Sequence, residues 1–131
     1  MQVVAAVIER DGRVLICQRK SGSRHALKWE FPGGKVERGE DSPSALAREL
    51  REELAINAQI GPLIHTETVR YSGRPVIDLE FFHITEFSGE PVNLEFEKIL
   101  WETLPKLASY DFLDGDVEFV RKLANRIAGA E

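Results

Sequence analysis

The chain has 131 residues, 43% hydrophobic and 30% charged, the makeup of one globular domain with a single core. A net charge of −5 argues against a protein that grips nucleic acid through a broad basic surface, although a nucleotide whose phosphates meet a bound metal is compatible with it. Cys17 is the one cysteine, so no internal disulfide forms, and its apolar surroundings mark it as a small buried hydrophobe. Charged residues from Glu9 to Lys20 break any signal-peptide core, and no run approaches the ~20 apolar residues that span a bilayer. A cytoplasmic protein away from membranes is expected.

In chain order, Val3 to Glu9 and Arg13 to Arg19 are apolar, β-branched runs joined at Asp11-Gly12, which predicts a hairpin. Ser21 to Lys28 reads as a polar loop, and Arg19, Lys20 and Arg24 form a small basic cluster beside it. Trp29-Glu30-Phe31 predicts a short strand entering the Pro32-Gly33-Gly34 turn, and residues 34–36 an extended piece. A helix then starts with Ser42 as cap, Pro43 in the first helical position and Asp41 near the positive end of the dipole. Ala45, Leu46, Leu50 and Leu54 form its core-facing stripe. Residues 61–71 and 76–87 predict two long strands around the Ser72-Gly73-Arg74-Pro75 turn. Lys98 to Thr103 predicts a last strand and Leu104 to Leu107 a helical turn. Val117, Val120, Leu123, Ala124 and Ile127 recur at helical spacing, giving a final helix capped by Asp114 or Asp116 and ending near Gly129. The order of strands, helix, strands, helix implies an α+β fold, a mixed β-sheet flanked by helices.

The chemistry concentrates in the first helix. Glu49, Glu52 and Glu53 stand at i, i+3 and i+4, so they share one face. Three carboxylates there repel unless a cation lies between them, and a hard divalent cation such as Mg²⁺ takes oxygen ligands of this kind. The Phe31-Pro32-Gly33-Gly34 turn just upstream allows close backbone approach to a ligand. A carboxylate helix beside a glycine turn suits a phosphate-ester or pyrophosphate substrate. Glutamates on a helix ordinarily mark a solvated face; the fixed spacing and the glycine turn reverse that reading here. His25, His65 and His83 share no metal-ligand spacing, and Trp29 and Trp101 read as packing residues.

Gly34, five residues, Glu40, seven residues, then Arg48-Glu49-Leu50-Arg51-Glu52-Glu53 resembles the Nudix box, GX5EX7REUXEEXGU, with Leu50 and Ile56 in the two aliphatic positions. Ala55 stands where glycine is usual. Alanine there needs either a non-positive φ or mild strain, an effect expected at the helix exit rather than in the chemistry. The resemblance covers nearly the whole chain, residues 1–131 as a single domain, and is nearest to MutT-like nucleoside triphosphate pyrophosphohydrolases. It implies an α/β/α sandwich and hydrolysis of a nucleoside triphosphate to monophosphate and pyrophosphate, with nucleotide-pool cleansing and DNA repair as its setting.

The resemblance also implies site residues. Gly33 (through its carbonyl), Glu49, Glu52, Glu53 and Glu95 would hold the metal cofactor, Mg²⁺ or Mn²⁺, and either Glu49 or Glu95 would take the proton of water. Arg48 would orient a carboxylate, Glu40 would brace the loop and Lys35 would reach a phosphate. Lys20, Phe31, Arg74 and Asp116 would meet the base, Asp116 replacing a frequent asparagine. That replacement opens the choice between 8-oxo-dGTP and cytidine triphosphates such as CTP or 5-methyl-dCTP. The expected partner is a small nucleotide, with no stable nucleic-acid or membrane binding, and the chain acts as a monomer or homodimer. Two rivals stand beside this reading. One is hydrolysis of another nucleoside diphosphate-linked substrate, against which the short length weighs. The other is a non-catalytic nucleotide-binding module, against which the intact Glu49, Glu52 and Glu53 weigh.

Overall fold

A computed structural model describes residues 1–129, with side chains through Arg126. The predicted hairpin forms from β1 (Gln2–Arg10) and β2 (Arg13–Gln18), which pair only near the turn, at Glu9 with Val14 and Arg10 with Arg13. Beyond that point the two strands part, and the segment carrying β3 (Trp29–Glu30) and β4 (Gly33–Lys35) enters the gap. β3 pairs antiparallel with β2, Cys17 opposite Glu30, while β4 pairs antiparallel with β1, Ala5 opposite Gly33. Between them the Ala6 N–H donates to the Pro32 carbonyl at 2.8 Å. This wedge sits at the centre of the sheet.

Helix α1 (Ser42–Leu54) follows, then the short β5 (Asn57–Gln59). β6 (Leu63–Val69) and β7 (Ile77–Ile84) are antiparallel, and β7 lies parallel to β1 over Gln2 to Ile8. β8 (Glu86–Ser88) pairs with β5 as a separate two-stranded sheet. β9 (Lys98–Thr103) closes the far side of β2, and a 3-10 turn (Leu104–Ser109) leads to α2 (Asp114–Gly129).

Alternation along β1 explains the layering. Val4, Ala6 and Ile8 face Leu46, Leu50, Leu54 and Ile56 of the α1 side, whereas Ala5 and Val7 face Phe119, Val120 and Leu123 of α2. A strand covered on both faces reads as a continuous apolar run, as Val3 to Ile8 does. The mixed sheet between two helical layers is the expected α+β sandwich.

Four local expectations change. Asp41, not Ser42, caps α1: its Oδ1 accepts from the Ser44 N–H at 2.8 Å, while the Ser42 hydroxyl donates to Glu80 at 2.6 Å. Ala55 takes the left-handed conformation, φ 58° and ψ 34°, so strain rather than a non-positive φ accommodates the missing glycine. The expected long strand 76–87 splits, because Glu86–Ser88 leaves the main sheet to pair with residues after α1. Finally, Asp114 and Asp116 lie inside the first turn of α2 rather than capping it, and Val117 is exposed while Phe119 takes the core position.

Candidate active site

The three helix glutamates do share a face of α1, and Arg48 organises it. Its Nε donates to Glu40 at 2.7 Å and its Nη2 to the other Glu40 oxygen at 3.0 Å. Nη1 reaches Glu49 and Glu52, each at 3.2 Å, and Nη2 also reaches the Lys35 carbonyl at 3.1 Å. Glu40 in addition accepts from the Glu37 N–H at 3.0 Å. The Arg48 hydrogen bonds, then the Glu37 amide, hold the Glu40 carboxyl down at about 2. One guanidinium therefore ties the loop before α1 to two carboxylates on it.

Glu53 has a different environment. Its Oε1 accepts from the Gly33 N–H at 3.1 Å, at the mouth of the wedge. Burial, followed by the charges of Glu49, Glu30 and Glu95, pushes its carboxyl up to about 9 against the opposing Gly33 hydrogen bond. Glu49 is also raised, chiefly by burial. The glycine turn is cut to fit: a Cβ on Gly34 would lie 2.4 Å from the Glu49 carboxylate, and one on Gly33 would lie 1.9 Å from the Val4 carbonyl oxygen.

Among the described residues no three carboxylates converge on one point, because Arg48 draws Glu49 and Glu52 to itself while Glu53 turns to Gly33. The donor set is nonetheless all oxygen. Burial first, and then its negative neighbours, favour the protonated form of Glu53, and a nearby cation would oppose both. These residues fit a hard divalent metal.

Beside them opens a cavity of about 590 Å³. Gly33, Gly34, Lys35, Glu53 and Glu95 line its carboxylate end. Lys20, Phe31, Arg74 and Asp116 line it too, so the structure brings the expected base-contacting residues to the same space. Lys20, Lys35, Arg74 and Glu95 are exposed, whereas Phe31 is a core residue, stacked on Phe112 at 5.5 Å and edge-on to Phe81 and Phe119. Only part of Phe31 is available to a ligand. Glu49, Glu52 and Arg48 are not among the residues that line the cavity.

Asp116 is 4% exposed, and burial pushes its carboxyl well above the ordinary range, with the Glu30 charge adding and the Phe31 backbone hydrogen bond opposing. Glu30 and Tyr71 join Asp116 on the cavity wall. Glu30 is raised by burial and steadied by Arg19 at 3.2 Å. Sequence reasoning assigned Glu30 no role; the available signal was its place in the Trp29-to-Lys35 segment that opens the box.

The fold and the site together define a carboxylate-rich hydrolase centre at the middle of a mixed sheet. The NUDIX domain family matches residues 1–123. The CTP pyrophosphohydrolase of Escherichia coli (strain K12) is 40% identical over 117 residues, covering 89% of this chain and 86% of that protein. The 8-oxo-dGTP diphosphatase of Haemophilus influenzae is 32% identical, covering 95% and 92%. Among solved structures, that of the E. coli ORF135 protein is 37% identical, with a TM-score of 0.87 and coverage of 98% and 91%. The MutT NUDIX hydrolase from Burkholderia pseudomallei is 27% identical, with a TM-score of 0.78 and coverage of 96% of each chain. The chain belongs to the NUDIX family, within its group of pyrophosphohydrolases and diphosphatases. Among the described residues no helix is long and apolar enough to cross a membrane.

Proposed function

We propose that this single domain hydrolyses a nucleoside triphosphate to the monophosphate and pyrophosphate, with cytosine as the preferred base, and so trims the free nucleotide pool. The observation that carries the reading is one cavity with Glu53 and Glu95 at its carboxylate end and the buried Asp116, whose burial favours the protonated form, on its wall. The Gly33 carbonyl with Glu49, Glu52, Glu53 and Glu95 would hold a divalent metal, Mg²⁺ or Mn²⁺, which when bound supplies positive charge to the polyphosphate. Glu49 or Glu95 accepts the proton of the attacking water, and Lys35 approaches the phosphates. Arg48 sets the orientation of Glu49 and Glu52, and Glu40 anchors Arg48.

The base assignment follows from hydrogen-bond polarity. Cytosine presents an amino donor beside a ring-nitrogen acceptor, and a neutral carboxyl offers the matching acceptor and donor. Guanine and its 8-oxo form present two donors on the imino and amino edge, which suit an ionised carboxylate. The burial of Asp116 favours the first. The relative named CTP pyrophosphohydrolase agrees, and the diphosphatase relatives make 8-oxo-dGTP the second reading.

The test is kcat/KM over CTP, dCTP, 5-methyl-dCTP, dGTP and 8-oxo-dGTP with Mg²⁺ present. The cytidine nucleotides should rank first. A first rank for 8-oxo-dGTP moves the assignment to the second reading, and no pyrophosphate from any of them overturns the hydrolase. Asp116→Leu should lower kcat/KM for CTP about 100-fold by removing two hydrogen bonds, whereas Asp116→Asn, which keeps a donor and an acceptor, should retain most of it. Equal losses in the two variants would show that Asp116 does not read the base.

A further inference from the structure

Glu95 reaches the site on a loop with little apolar support. Val92 and Leu94 are 50% and 54% exposed, and only Phe96 is buried, against the α1-side core. The Glu95 side chain makes no hydrogen bond of its own among the described residues, so backbone contacts alone set its place. Two of them fall on the end of α1. The Leu94 N–H donates to the Glu53 carbonyl at 3.0 Å and the Val92 N–H to the Leu54 carbonyl at 2.9 Å, satisfying two carbonyls the helix leaves without partners. Gly89 presses on the next residue, where an added Cβ would lie 3.2 Å from the Ala55 carbonyl oxygen. The last turn of α1, which carries Glu53, is thus the surface on which the Glu95 loop is laid.

One side chain closes the loop. Asn93 Oδ1 accepts from the Phe96 N–H at 2.8 Å and from the Glu95 N–H at 3.3 Å, while Nδ2 donates to the Phe96 carbonyl at 2.9 Å. It thereby joins the residue fixed to α1, Leu94, to the residue fixed in the core, Phe96, across Glu95. We propose that Asn93 is the positioning residue for Glu95, holding that carboxylate beside Glu53 through the Glu95 and Phe96 amides. The inference rests on the reading of Glu95 as an active-site carboxylate. Loss of the Asn93 amide leaves the α1 contacts in place and frees Glu95 to wander, an error to which catalysis is sensitive.

The experiment compares kcat, KM and Tm for Asn93→Ala, Asn93→Asp, Glu95→Gln and the Asn93→Ala/Glu95→Gln double variant, with CTP and Mg²⁺. Asn93→Ala should lower kcat about tenfold at unchanged KM, Asn93→Asp, which keeps the accepting oxygen, should stay within about threefold of wild type, and Asn93→Ala should cost nothing further in the Glu95→Gln background. Amide exchange at Glu95 and Phe96 should quicken in Asn93→Ala while that at Leu50 stays slow, separating a loosened loop from general destabilisation. A fold-loss for Asn93→Ala equal in both backgrounds overturns the proposal, as does undiminished kcat in Asn93→Ala beside a crippled Glu95→Gln. Undiminished kcat in Glu95→Gln instead removes the reading of Glu95 itself, and the proposal with it.

Discussion

Burial raises the carboxyls of both Glu53 and Asp116, but the charges around the two acids differ. Glu53 is flanked by the negative Glu49, Glu30 and Glu95, so its proton stands in for a missing positive charge. Asp116 faces the cavity with one charged neighbour, Glu30, so burial is the main push towards its protonated form. The sign for Glu53 is that of a raised carboxyl. Its burial costs nothing below the ordinary value of 4.5, and the cost grows as pH rises towards about 9. In metal-free buffer, Glu53→Gln should therefore raise Tm relative to wild type, by more at the alkaline end of that window, as read by thermal scanning. Added Mg²⁺ should raise the Tm of wild type and leave the variant nearly unmoved, and pyrophosphate release by the variant should fall about 1000-fold. A variant less stable than wild type across the whole window would contradict the electrostatic account. The box spacing marked Glu53 as a candidate site residue. Its pKa was not legible, because three of its perturbing neighbours, Gly33, Glu30 and Glu95, lie far away in sequence.

At the scale of elements, α1 is where the sequence pattern was most readable. The stripe of Ala45, Leu46, Leu50 and Leu54 is fully buried as its spacing required, and the glutamates fall on another face. Its ends were harder to place. Asp41 and Ser42 are both good caps, and the choice went to Asp41 because the Ser42 hydroxyl is taken by Glu80 on β7. At the other end, Ala55 holds a left-handed φ of 58° and donates its N–H to the Arg51 carbonyl at 3.1 Å. Ala55→Gly should stabilise the protein by about 1 kcal/mol, the left-handed penalty less the added freedom of the unfolded chain, with kcat/KM unchanged. Denaturant titration measures the first and the CTP assay the second; a loss of stability would mean that the Ala55 methyl packs better than its exposed position indicates. The β5–β8 pair went unread because each strand has three residues, too short for a period to register.

For the whole molecule, the decisive arrangement is the wedge that enters between β1 and β2. It brings Gly33 to the β1 backbone and Gly34 to the Glu49 carboxylate, so two adjacent glycines answer to different constraints. Gly33→Ala should disrupt the β4–β1 pairing, because the added Cβ meets a fixed carbonyl, and should lower Tm markedly. Gly34→Ala meets only the end of a side chain, so activity should fall while Tm changes little. Circular dichroism melts beside the CTP assay distinguish the two, and matching Tm losses would refute the distinction. The sequence by itself determined the strand-helix-strand-helix order, the buried stripe of α1 and the carboxylate spacing, since these depend on periods of two and 3.6 residues along neighbouring positions. Only the tertiary structure decided that Asp116 on the last helix, Glu30 on the wedge and Glu95 on its loop border one cavity with Glu53. Burial and charge coupling are properties of three-dimensional proximity, and no spacing along the chain encodes them.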